Sequence, residues 1–208
     1  NIGSQYETSK RGVEIALDYK HVFSAVGVHP THAHEKEHEF DYKKYSELIQ
    51  LSKKVVAVGE TGIDFYHSTE HFAMQKEVFL EHIRLAKEFD LALIVHGRNS
   101  KDGTVNCYEE IFKIVKKEKV KRAVVHCFIG NQDDAKKFLE LEYYIGITGI
   151  VTFKNAPALQ EIAKNIIPLE RLLIETDCPY LSPEPYRGKR NQPQYVEYVA
   201  RKIAELKG

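Results

Sequence analysis

Cysteine is scarce and odd in number: Cys107, Cys127 and Cys178 are the three in 208 residues. They have no framework spacing, which excludes a disulfide-stapled scaffold and leaves reduced thiols in a cytoplasmic protein as the expectation. Charge of one sign is missing too. Lys plus Arg and Asp plus Glu both number 30, so the formal net charge is zero. A basic coat for nucleic acid and an acidic solvating tail are thereby excluded for the chain as a whole, although a local patch is not. No apolar run approaches the roughly eighteen residues of a spanning helix, and no secretory pattern is present, so no membrane partner is expected. Linkers, low-complexity tracts and internal repeats are absent. So are GxGxxG and GxxxxGK[ST] loops, which weakens the nucleotide-binding versions of a wound sheet. Position 1 is Asn rather than Met, and a fragment or processed product is the expectation.

What is present alternates between two kinds of segment. Short apolar runs, often β-branched, fall at His21–Val28, Lys54–Val58, Leu91–Val95, Lys121–Val125, Tyr143–Thr148 and Arg171–Ile174. Their near-continuous apolarity suits strands buried on both faces of a parallel sheet. Between them the apolar residues take helical spacing: Tyr108, Ile111, Phe112 and Val115; Leu159, Ile162, Ala163 and Ile166; Val196, Val199, Ala200 and Ile203. Phe72, Phe79, Ile83 and Ala86 mark a longer helix, and Ala135, Phe138 and Leu139 a short one. Ser4 is expected to cap a helix carrying Val13, Ala16 and Leu17, and Asp41 one carrying Tyr45, Leu48 and Ile49.

Strand–helix alternation predicts an α/β fold in one domain spanning residues 1–208. Four polar residues, Glu60, His96, His126 and Asp177, each lie just after an apolar run. A (β/α)₈ TIM-barrel-like fold builds its site from such strand ends, which favours the barrel over the wound sheet. Six strands are visible where a barrel has eight. At roughly 30 residues per unit, eight units come to about 240, near the fold's typical roughly 250. The expectation is a barrel incomplete at its N-terminus by one or two units.

Two imidazoles and two carboxylates from four strands make an N/O donor set suited to Zn²⁺, Mn²⁺ or Mg²⁺, expected to converge on one barrel mouth. A glutamate has two oxygens with which to bridge a metal pair, and such a pair generates hydroxide near neutral pH. Taken singly, each residue has a plainer reading as a helix-start carboxylate, a turn cap or a satisfied histidine.

Together, the stretches Val26-Gly27-Val28-His29-Pro30, Gly59-Glu60-Thr61-Gly62-Ile63-Asp64, Val95-His96-Gly97-Arg98, His126-Cys127-Phe128, Glu175-Thr176-Asp177-Cys178-Pro179-Tyr180-Leu181 and Arg187-Gly188-Lys189-Arg190-Asn191-Gln192-Pro193 resemble the TatD-type metal-dependent deoxyribonucleases. The resemblance implies a (β/α)₈ barrel with two divalent ions. Glu60 would be the bridging carboxylate, His96 and His126 ligands of one ion, and Asp177 a ligand of the other and partner to the attacking water. It implies phosphodiester hydrolysis in DNA, with RNA or tRNA as further partners. Some relatives act as D-aminoacyl-tRNA deacylases.

The sequence departs from that pattern. The family's first-strand His-x-His pair is missing; His32-Ala33-His34 has the spacing but follows the His29-Pro30 loop and reads as a solvated loop. Ile129 and Gln192 replace a small hydroxyl residue and an acidic residue. Arg187, Lys189 and Arg190 put three cations beside Tyr186 in one loop, which reads either as a grip for phosphate, with Asn191 alongside, or as a flexible, solvated surface loop. Arg98 is expected to reach phosphate or pair with Asp64. Tyr180 and Cys178 are expected to pack at their turn. The alternatives are an amidohydrolase-like enzyme cleaving an amide or ester, and an inactive fragment or binding module. Glu60, where many amidohydrolases bridge their metals with a modified lysine, favours the nuclease-like branch.

Overall fold

All six apolar runs become strands, and each strand lies beside the next one in sequence. The computed structural model describes residues 1–36 and 40–208. The chain divides into two compact units, Asn1–Val124 and Val125–Gly208. In the first, β1 (Ser24–Val26), β2 (Val55–Asp64), β3 (Ala92–Arg98) and the start of β4 (Ala123–His126) are ordered β1-β2-β3-β4. In the second, the end of β4, β5 (Tyr144–Ile147) and β6 (Leu172–Ile174) are ordered β4-β5-β6. The pairs β1–β2, β2–β3 and β5–β6 are parallel. The fold class is α/β, as the alternation predicts.

The helices are α1 (Tyr6–Asp18) ahead of β1, α2 (Tyr42–Leu51), α3 (Phe72–Glu88), α4 (Cys107–Lys117), α5 (Gln132–Glu140) and α6 (Pro157–Glu161) between successive strands, and α7 (Val196–Lys207) after β6. Their apolar stripes make the core: Val13 and Ala16, Tyr45 and Leu48, Phe79 and Ile83, Ile111 and Val115, Phe138, and Val199 are all buried. Asp41 caps α2 as expected, accepting from the Lys44 N–H at 3.2 Å. The cap of α1 shifts by one residue from Ser4. Gln5 is the N-cap, because Thr8 sits where its hydroxyl reaches back to the Gln5 N–H at 3.1 Å. α6 is only five residues long and passes into a wider π-type turn over Ile162–Ile166, so the apolar spacing read there as one helix spans two geometries. Among the described residues no helix is long and apolar enough to cross a membrane.

Two strands run past their expected ends in a way that builds the site: β3 continues beyond Val95 to Arg98, and β2 changes more. β2 does not stop at Val58 but continues to Asp64. Gly59 and Gly62 interrupt the apolar run without ending the strand. Both have positive φ, +141° and +145°, which a side chain disfavours. A Cβ on Gly59 would lie 2.5 Å from the Ile94 carbonyl oxygen. The β2–β3 register shifts between Val58 and Thr61, so the bulge sits at Gly59 and Glu60.

Candidate metal centre

In the first unit, Glu60 and His96 stand within their strands rather than just beyond them. The register pairs His96 with Gly62. Side chains two apart on a strand share a face, so Glu60 and Asp64 flank the position opposite His96. Gly62 supplies the gap between them. The imidazole fills it: Nδ1 lies 2.8 Å from Glu60 Oε1 and Nε2 lies 2.8 Å from Asp64 Oδ2. His29, just past β1, brings Nε2 to 3.1 Å from His96 Nδ1 and 3.6 Å from Glu60 Oε1.

The charges follow from this geometry. Burial lowers the pKa of His96, but hydrogen bonds to Asp64 and Glu60 outweigh it and raise the value to about 9. Burial, reinforced by the neighbouring His96 cation, pushes His29 down to about 4. Burial raises Asp64, yet the His96 bond and charge hold it below its ordinary value. Two carboxylates largely withdrawn from water need a cation between them. The His96 imidazolium fills that role here. A divalent ion fits the same donors, since one ligand atom each from His29, Asp64 and His96 lie within 4.8 Å of one another.

In the second unit, His126 ends β4, and Asp177 follows β6 by three residues with φ 55°. His126 Nε2 lies 3.4 Å from Asp177 Oδ1, and Nδ1 lies 2.7 Å from Glu175 Oε2. The structure therefore brings Glu60 to His96 in one unit and His126 to Asp177 in the other. His29, Asp64 and Glu175 were not singled out from the sequence. A His directly after β1's apolar run, and carboxylates two or four residues from Glu60 and Asp177 in the same motifs, were the available signals.

The expected substrate-binding residues take varied positions. The Arg98 guanidinium stacks 3.5 Å above the Tyr66 ring and contributes to lowering the Asp64 pKa; Asp64's close partner is His96. Arg187 and Arg190 are exposed, Arg187 lying 4.1 Å over the Phe153 ring. Asn191 is buried instead. Its Nδ2 donates to the Thr176 and Tyr180 carbonyls, 2.8 and 2.6 Å away, and its N–H donates to that of Pro179 at 3.0 Å. It is a positioning residue, tying the cationic loop to the Asp177 turn. Tyr180 and Cys178 do not pack at that turn: both are exposed, Tyr180 by 70%, because the turn is held through backbone groups. In the His32–His34 loop, His32 Nδ1 pairs with Glu35 at 2.8 Å and its ring meets that of His29 edge-on with centroids 6.3 Å apart, while His34 stacks on His71.

Parallel strands bearing imidazoles and carboxylates fit a metal-dependent hydrolase of the α/β class. The chain belongs to the TatD related DNase family, whose model matches residues 1–208. It is 42% identical over 208 residues to the uncharacterized metal-dependent hydrolase YabD of Bacillus subtilis, covering 99% of this chain and 78% of that protein. It is 41% identical over 189 residues to the uncharacterized metal-dependent hydrolase YcfH of Escherichia coli K12, covering 90% and 66%. Among solved structures, YjjV, a TatD homologue from Escherichia coli K12, matches with a TM-score of 0.86 at 29% identity, covering 99% of this chain and 76% of that one. The six strands are thus of the TIM-barrel-like (β/α) type.

Proposed function

We propose that the chain hydrolyses phosphodiester bonds in DNA. The observation that carries this reading is the exposed Arg187–Arg190 loop, anchored through Asn191 to the turn that bears Asp177. Cations fixed beside a donor carboxylate suit a substrate with a charged backbone. An amide or ester substrate without phosphates would not call for them, whereas an aminoacyl-tRNA would, and the experiment separates the two.

In the first unit Glu60 and His96, with His29 and Asp64 beside them, would hold a divalent ion, and in the second unit His126 and Asp177 would be the donors. When bound, a divalent ion supplies Lewis-acid neutralisation of phosphoryl charge and makes water a stronger acid. The residues do the rest. Asp177 accepts the proton of the attacking water at its carboxylate. Glu60 offers one oxygen while Oε1 stays with His96. Arg187 and Arg190 bind phosphate on the substrate strand, and Arg98, flattened on Tyr66, presents a guanidinium edge for another phosphate.

Incubating the protein and a divalent metal with end-labelled DNA, RNA and D-aminoacyl-tRNA, each with a chelator control, tests this. Shortened DNA in the metal-containing lanes alone is expected. Deacylation of the tRNA with DNA left intact would overturn it in favour of ester hydrolysis.

A further inference from the structure

We propose that Glu175 is the positioning residue of His126: its carboxylate fixes the imidazole as the Nδ1–H tautomer and so points the Nε2 lone pair toward the metal. This rests on the reading of His126 as a metal-holding residue.

Three elements of the second unit build the arrangement. His126, at the end of β4, lies 2.7 Å from Glu175 Oε2 through Nδ1. The N–H of Cys127, the next residue, donates to the other oxygen, Oε1, at 2.5 Å. Cys127 has φ 44°, so the chain turns immediately after the N–H that donates to the carboxylate. The carboxylate is thereby held at both oxygens. From β5, Gly146 leaves the space it occupies: a Cβ there would lie 2.5 Å from Oε1 and 2.7 Å from Oε2.

The chemistry follows from donor and acceptor rules. A carboxylate only accepts, so the proton on this side belongs to Nδ1, and neutral His126 keeps its lone pair on Nε2. That nitrogen faces Asp177 Oδ1 at 3.4 Å. A lone pair and a carboxylate oxygen facing each other are reconciled by a cation. Carboxylate partners of ligating histidines fix the tautomer and raise ligand basicity. A purely structural Glu175 would hold the Cys127 turn alone and leave the His126 tautomer indifferent to its removal.

The test uses the full chain with its histidines labelled with ¹⁵N. Metal-free protein is read at a pH where the ¹⁵N shifts of both ring nitrogens show His126 carrying a single proton, so that they report the tautomer directly. Wild-type His126 is expected as Nδ1–H. Glu175→Leu should abolish that preference and weaken zinc binding, read by competition with a chromogenic chelator, by about 10- to 100-fold. Glu175→Gln keeps an oxygen that can accept from Nδ1–H and should recover most of both. Gly146→Ala leaves every titratable group in place while pushing the carboxylate away, and should resemble Glu175→Leu, which keeps the test usable if the leucine variant does not fold. A wild-type Nε2–H tautomer, or an unchanged tautomer in Glu175→Leu, overturns the inference and leaves the metal reading standing. If His126→Ala leaves zinc affinity unchanged, the metal reading of His126 falls, and the orienting role falls with it.

Discussion

The backbone N–H of Val28 donates to Nε2 of His82 across 2.9 Å, although 54 positions separate the two. The other ring nitrogen, Nδ1, donates to the Val78 carbonyl at 2.7 Å. His82 is therefore a buried neutral imidazole that fixes the backbone next to His29. Burial pushes its pKa down to about 4, only partly opposed by the Val78 carbonyl. Between about pH 6.5 and pH 4 the unfolded chain binds a proton there that the folded chain does not. Folding stability should fall as pH drops through that window, by roughly 3 kcal/mol in all. Urea denaturation from pH 7 to pH 4 should show a shallower fall in His82→Gln than in wild type. Parallel curves would remove His82 from the account.

Gly62 gives a prediction about backbone. Its φ of +145° and the close approach of the His96 carbonyl leave no room for a Cβ. Gly62→Ala should destabilise the protein by more than about 2 kcal/mol, since backbone strain and collision add. Gly188, also at positive φ but with nothing within 4 Å of its Cβ position, should tolerate alanine better. Thermal melts of both variants make the comparison, and equal losses would contradict it.

Arg187 and Arg190 serve phosphate in this account and do not touch the metal. Replacing both with Ala should weaken DNA binding and reduce the slope of log K against log salt by about 1.4, for two single-strand phosphate contacts. Metal content should be unchanged. Fluorescence anisotropy across a salt series measures the slope, and an unchanged slope would return this loop to ordinary solvated surface.

Much of this architecture is legible in the sequence because burial on both strand faces leaves continuous apolar runs. All six mark real strands. Their ends are less legible. β1 is confined to Ser24–Val26 within the longer run, and β2 continues to Asp64, since pairing persists through glycines that break the apolar pattern. Donor types were readable because imidazoles and carboxylates at strand ends are uncommon without a reason. Their partners were not. His29 reaches His96 across 67 positions, and Glu175 reaches His126 across 49, contacts that only the folded chain creates. The exposure of Tyr180 was hidden for a similar reason: Asn191, eleven positions on, holds its turn through a carbonyl and leaves the ring outside.

The most direct measurement is DNA hydrolysis after stripping divalent ions, with and without their return, by wild type and by Asp177→Asn. Wild type should lose cleavage in chelator and regain it with the added ion. Asp177→Asn, which keeps the shape but not the proton acceptor, should stay at least about 10²-fold slower under the same conditions. Cleavage that persists without metal, or an asparagine variant as fast as wild type, would contradict the account.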